Sequence, residues 1–317
     1  MPDGFTGASP ISTPTNDPQL PKPPQHSQRM KATLRQSLVD GEQAGMRYAL
    51  CLPDSPMSGV RGERLGRRAG SSVDFQDYRE YQPGDDLRHI DWNAYARSNQ
   101  LIVKLHREEV QPHLDLILDT SASMNLPDTD KPAALHQLAA LLATAAANAR
   151  CSQALWMTGE GFQRVRNDTQ PPGAWGELPM GGARSFEEAH GLLPPRLRRQ
   201  GMRVIISDLL WPGDPLPTLR KLAEGAASLH VIQLLARTDA TAPEPGNVQL
   251  QDHETGEMLS IYIDASIRQT YRNTLRRLQQ SWHNACKQTG AKLTTLIAED
   301  LGQSLSALEE IQLLEPA

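Results

Sequence analysis

The stretch Leu114-Asp115-Leu116-Ile117-Leu118-Asp119-Thr120-Ser121-Ala122-Ser123 decides how the rest of this chain is read. Its first half is a short apolar run that reads as a buried β-strand. Its second half places oxygen side chains at Asp119, Ser121 and Ser123. Alternate residues of an extended chain share a side, so one carboxylate and two hydroxyls can converge where the strand ends. Such a set suits a hard divalent cation, Mg²⁺ or Mn²⁺, and the carboxyl end of a parallel strand is where open α/β sheets bind ligands. The same residues can also cap the next helix and shape a turn. Five residues alone do not choose between the two.

Downstream the chain alternates strands and helices. Lys131 to Arg150 is a long Ala/Leu segment with Asp130 as N-cap, Pro132 in the first turn, and Leu135, Leu138, Leu142 and Ala145 on one face. Ala154–Thr158 and Phe162–Val165 read as strands, and a helix is predicted from about Phe186. Met202 to Asp208 is a second buried strand that ends in an acid. Pro215–Ala227 is predicted helical, and Leu229–Leu235 is a third buried strand. Val248–Leu250 and Met258–Ile263 form a hairpin pattern, followed by a long helix over Ala265–Thr289 and a strand over Lys292–Ile297. This alternation predicts an α/β fold with a mostly parallel sheet covered by helices on both faces. Residues 301–317 read as a short peripheral helix or tail.

Upstream, residues 1–45 are predicted to be largely disordered, because the first 28 are rich in Pro, Ser, Thr and Gln and offer little apolar surface to offset ordering entropy. A weak apolar pattern after Met30 (Leu34, Leu38, Val39) suggests a short helix before irregular structure. Glycines interrupt the basic run at 58–72 too often for a helix, so Arg61, Arg64, Arg67 and Arg68 belong to an exposed loop. They are a candidate interaction surface or simply a solvated charge run. In Asp74 to Trp92 the turn signal Pro83-Gly84 is followed by acids and His89, and structural capping and Arg pairing are the preferred reading over acid/base chemistry. Leu101–His106 alternates with period two and reads as a strand. It lacks a large core of its own, so the 46–110 region is expected to pack on the main domain, residues 111–300.

Composition narrows the function classes. A net charge of −5 argues against a nucleic-acid binder. Three widely spaced cysteines (Cys51, Cys151, Cys286) show no metal or redox spacing and are expected to be reduced thiols of a cytoplasmic protein. No apolar signal-peptide core opens the chain, and no stretch approaches the roughly 18 apolar residues of a membrane span. There is no Walker A loop, no His-Glu-x-x-His motif, and no Gly-x-Ser-x-Gly elbow around Ser121 or Ser123.

The Asp119-Thr-Ser-Ala-Ser123 motif, followed by strand-Ser207-Asp208, resembles the metal-ion-dependent adhesion site of von Willebrand factor type A domains. Phe75-Gln-Asp-Tyr-Arg-Glu-Tyr-Gln-Pro-Gly-Asp-Asp-Leu-Arg-His-Ile-Asp-Trp92 is similar to the signature of the bacterial family called domain of unknown function 58, and Asp252-His-Glu-Thr-Gly-Glu257 to a later element of it. The resemblance covers roughly residues 58–300. It implies a type A-like domain with a metal held by Asp119, Ser121, Ser123 and Asp208, and a non-enzymatic role with a MoxR-type AAA+ ATPase in assembling or maturing a client protein. The type A site also uses a threonine from a third loop. That loop should fall near Gly181–Ser185, which has no threonine, so Ser185 is expected to face the metal with Arg184 turned to solvent. An inward Arg184 would instead pair with Asp119 or Asp208. The alternative from another class is a metal-dependent phosphotransferase or hydrolase using Asp119. Such phosphotransferases typically carry a second acid two residues on, where this chain has Ser121.

Overall fold

The computed structural model describes residues 25–53, 73–83, 85, 87–108, 112–126, 128–166, 170–176, 178–192, 194–211, 213–251 and 258–317. The apolar run becomes β4 (His113–Leu118), the fourth strand in chain order after β1 (Tyr48–Leu50), β2 (Val73–Glu80) and β3 (Ile102–Glu108). With β5 (Ser152–Met157), β6 (Gln163–Val165), β7 (Met202–Ser207), β8 (Ser228–Leu235) and β11 (Lys292–Ile297) it builds a six-stranded sheet of order β11-β8-β7-β4-β5-β6. All neighbours are parallel except the edge pair β5–β6. The strands between the edges are buried on both faces, which is why β4 and β7 read as mainly apolar runs, interrupted by Asp115 and Arg203, rather than as alternating ones.

The sheet separates two apolar clusters. Leu114, Leu116 and Leu118 of β4 join Val204, Ile206, Ile232 and Leu234 on one side. Ile117, Ile205 and Val231 point to the other. The first side is covered by α3 (Lys131–Asn148), which is in turn covered by α1 (Gln25–Gly45). Between two layers α3 is buried almost all round up to its last turn, and Leu138, Leu141, Leu142 and Ala145 are all fully buried. An Ala/Leu helix that is apolar all round is what such a position requires. Gly41 and Gly45 of α1 let its backbone reach α3: a Cβ at Gly45 would stand 2.6 Å from the Leu141 carbonyl and 2.7 Å from Thr144 Cβ.

The opposite face carries α4 (Phe186–Leu192), α5 (Leu216–Ala223) and α7 (Ala265–Thr289); α2 (Trp92–Ser98) comes before all three in the chain, and α6 (Arg237–Ala240) lies between α5 and α7. Trp156, Phe162, Phe186, Trp211 and Trp282 all belong to the cluster on this side. Phe186 stacks on Trp211 at 5.3 Å, and Trp211 meets Trp282 of α7 edge-on at 4.7 Å. The hairpin β9 (Gly246–Gln251) with β10 (Met258–Ile263) pairs antiparallel, as its sequence pattern predicts. Its turn, 252–257, lies outside the described residues, as does the basic loop with Arg61, Arg64, Arg67 and Arg68.

Three expectations need correction. Residues 25–45 are not part of a disordered segment: they form α1, whose Leu38 is buried against the core. Residues 301–317 do contain the expected short helix, but they are neither peripheral nor a tail. They form α8 (Ser306–Glu310) and β12 (Leu314–Pro316), bury Leu308, Leu313 and Leu314, and pair antiparallel with β1. Asp130 precedes α3 without a side-chain cap hydrogen bond. In the N-terminal region, β2 and β3 form a separate antiparallel ribbon with a bulge between Phe75 and Asp77. The acids near Pro83 do serve structure: Asp85 pairs with Arg79 at 2.8 Å, and Asp91 caps α2 by accepting from the Asn93 and Ala94 amides.

Candidate functional site at the carboxyl end of the sheet

Strand register creates the site. Leu118 lies opposite Met157 of β5 and Ile206 of β7, so the next residue of each strand falls in one row: Asp119, Thr158 and Ser207. All three are buried. The Ser207 hydroxyl donates to Asp119 Oδ2 at 2.6 Å, and the Ser121 amide donates to Oδ1 at 3.0 Å. The Thr158 hydroxyl adds a longer contact of 3.4 Å to Oδ1. Ser121 then turns the chain into a 3-10 turn over Ala122–Asn125, and its hydroxyl lies 3.1 Å from that of Ser123. One carboxylate and two hydroxyls therefore sit together at the strand end.

Asp119 is only 1% exposed. Burial, with the charge of Asp208 adding, pushes its carboxyl up to about 6, against the opposing pull of the Ser207 and Ser121 hydrogen bonds. Asp208 sits one residue past β7 and is equally buried, but it is engaged differently. Its Oδ2 accepts from Lys131 Nζ at 3.0 Å, and its Oδ1 accepts from the Leu210 amide at 3.2 Å. Lys131, the first residue of α3, is fully buried and also pairs with Asp239 Oδ2 at 2.9 Å. Burial is the largest single influence on that ammonium and pushes its pKa down. The two carboxylates together outweigh it and hold the pKa above its ordinary value. The loop after Asp208 is tied down: Leu209 has a left-handed backbone (φ 57°), and its carbonyl accepts from the Trp282 indole at 3.1 Å.

The 181–185 loop does approach the site, through backbone rather than side chains. The Gly181 and Gly182 amides donate to the Thr120 carbonyl at 3.0 and 2.9 Å, and the Ala122 amide donates to the Gly182 carbonyl at 3.0 Å. Gly182 lies so close to Gly159 that a Cβ there would collide with Gly159 Cα. Ser185 has another role than the expected one. Its hydroxyl accepts from the Glu188 amide at 3.3 Å while Glu188 accepts from the Ser185 amide at 3.1 Å, a reciprocal cap on α4. Arg184 points outward, 45% exposed and 4.0 Å from Glu160. The hydroxyl that reaches Asp119 from a neighbouring loop is Thr158, which sequence reading treats as the last residue of a strand.

Among the described residues no group of three or more His, Cys, Asp or Glu side chains gathers in a way that would hold a metal ion. A hard cation here would depend on hydroxyls. The Asp119, Ser121 and Ser123 donors are chemically suited to one, whereas Asp208 is already matched by an ammonium. No described helix is long and apolar enough to cross a membrane.

Fold and site define a class: a mixed α/β protein whose central, mostly parallel sheet carries an oxygen-donor cluster at its carboxyl edge. Residues 77–281 match the family described as "Protein of unknown function DUF58", and the chain belongs to that family. It is 29% identical over 256 residues to uncharacterized protein Rv1480 of Mycobacterium tuberculosis, covering 75% of this chain and 78% of the relative. A shorter match, 36% over 101 residues, reaches uncharacterized protein MAV169 of Mycobacterium avium, covering 31% of this chain and 58% of that one. Among solved structures, the conserved hypothetical protein BatB of Bacteroides thetaiotaomicron aligns with 63% of this chain and 98% of its own, at 13% identity and a TM-score of 0.34.

Proposed function

We propose that this chain is a non-enzymatic, metal-assisted protein-interaction module of the von Willebrand factor type A-like kind. On this reading it works in the cytoplasm with a MoxR-type AAA+ ATPase, in chaperone-like assembly or maturation of other proteins. The observation that carries the reading is the convergence of Asp119, Ser121 and Ser123 on one strand end, with the two hydroxyls 3.1 Å apart. Mg²⁺ or Mn²⁺ would be held there by oxygen donors few enough to leave coordination positions for water or for a carboxylate of another protein. Metal binding then becomes protein recognition. The ATPase partnership rests on the family resemblance and on no contact in this chain.

A catalytic role for Asp119 has less support. A nucleophilic carboxylate must reach its substrate, and this one is 1% exposed with both oxygens already hydrogen-bonded. The position two residues on, where a phosphotransferase would place its general acid, is Ser121, whose amide holds Asp119 in place.

Calorimetric titration of Mg²⁺ tests the reading. One site is expected, weakened about tenfold or more by Asp119→Ala and by Ser121→Ala. Co-purification with the candidate ATPase should fall in EDTA and in Asp119→Ala. Metal binding that survives both substitutions, or equal ATPase recovery with and without metal, would sink the proposal.

A further inference from the structure

We infer that Lys131 is the resident cation of the Asp208 half of this site, so that Asp208 serves the lysine rather than a divalent metal. The inference rests on the metal reading proposed above and assigns the two carboxylates different jobs. Lys131 Nζ lies 3.0 Å from Asp208 Oδ2 and 2.9 Å from Asp239 Oδ2, with its side chain 1% exposed. A lysine that deep is almost always paired, and this one bridges the ends of β7 and α6 from the first turn of α3. That turn is the positive end of a helix and an unfavourable place for an ammonium. Two carboxylates make the position tenable, and in return Asp208 loses the burden of an unpaired buried charge. Asp208's other oxygen is taken by the Leu210 amide. A divalent ion would have to displace the ammonium to reach Asp208. It meets no such competitor at Asp119, whose partners are hydroxyls and one amide.

Two measurements test this on the full chain. Calorimetry with MgCl₂ should show Asp208→Asn within about twofold of the wild type, where Asp119→Ala loses about tenfold or more. An Asp208→Asn loss equal to that of Asp119→Ala overturns the inference while leaving the metal-binding reading intact. Thermal unfolding in EDTA and in excess MgCl₂, at matched ionic strength, supplies the second readout. Lys131→Met keeps the stem and removes the charge. It should unfold at a lower temperature in EDTA and recover more with Mg²⁺ than the wild type does, because the divalent ion now takes the vacated place between Asp208 and Asp239. The double variant Lys131→Met/Asp208→Asn should lose that extra recovery. If Lys131→Met does not stay folded in EDTA, its refolding yield from denaturant with and without Mg²⁺ is read in place of the melting temperature. An equal Mg²⁺ response in wild type and Lys131→Met overturns the inference. A wild type that binds no Mg²⁺ defeats the proposed function, and a Mg²⁺ response confined to Lys131→Met would still support the lysine's role.

Discussion

At the scale of single residues, two buried titratable groups tie the site and the base of the sheet to pH, with opposite signs. Asp119 goes from its ordinary 3.8 up to about 6, chiefly through burial. Between these values the folded state holds a proton that the unfolded state has released, so this group's contribution to stability falls as pH rises. The loss is complete above about pH 6 and amounts to roughly 3 kcal/mol at most. In EDTA at neutral pH, Asp119→Asn should therefore melt higher than the wild type, and its advantage should vanish near pH 4. A carboxylate kept at a cost in stability fits a residue retained for binding. His230 behaves in the opposite way. Burial, with Lys292 adding, pushes it from 6.5 down to about 4, so the unfolded state binds the proton first and stability falls as pH drops through that window. His230→Leu should flatten the acid side of the profile and Asp119→Asn should steepen it. Chemical denaturation at several pH values separates them, and parallel profiles for the two variants would contradict both assignments.

At the scale of elements, close backbone approach does work that sequence periodicity does not show. Gly41 and Gly45 seat α1 on α3, with Ala140 Cβ 2.9 Å from where a Gly41 Cβ would be. Gly41→Ala or Gly45→Ala should each cost about 1–3 kcal/mol by overpacking and expose the 25–45 helix to limited proteolysis. The contact of Gly182 with Gly159 serves the site instead, because Gly182 also pairs with Thr120 and Ala122 beside Asp119. Gly182→Ala should weaken Mg²⁺ binding more than it lowers the melting temperature. A variant with normal binding and a large melting loss would assign that loop to the core alone. The strand and helix alternation from β4 to β11 was legible because the central strands β4, β7 and β8 are mainly apolar runs with clear breaks. The α1 layer was not, because a glycine-bearing, weakly apolar helix reads as poor structure until a partner surface is known.

At the scale of the molecule, the C-terminal segment closes on the stretch that follows α1. β1 pairs with β12, the Cys51 amide donates to the Leu313 carbonyl at 3.0 Å, and the Ala317 amide donates to the Arg47 carbonyl at 3.0 Å. Residues 305–317 place Leu308, Leu313 and Leu314 in the same cluster as β4 and α3. Burial of each leucine is worth about 1.5–3 kcal/mol, so a chain ending at Ser304 loses a large share of a typical domain's stability of roughly 5–15 kcal/mol. Circular dichroism should find that truncated chain unfolded or melting far below the wild type. An unchanged melting curve would show that the C-terminal segment is dispensable after all.

The sequence by itself determined the α/β class, the limits of β4, β7, β8 and α7 within a residue or two, and the carboxylate and hydroxyls at 119, 121 and 123. These are properties of consecutive residues, written in hydrophobic runs and in alternation along an extended chain. Tertiary structure decided which distant residues share the site. Parallel register between β4, β5 and β7 aligned Thr158 and Ser207 with Asp119. The packing of α3 and α6 at the end of β7 brought Lys131 and Asp239 to Asp208. Ser185, chosen by analogy with a third loop, went instead to the cap of α4, because the two glycines before it had already filled the space beside Thr120 with backbone. No local pattern announces a lysine whose partners lie 77 and 108 positions further along the chain; a buried charge is placed by where the fold can neutralise it.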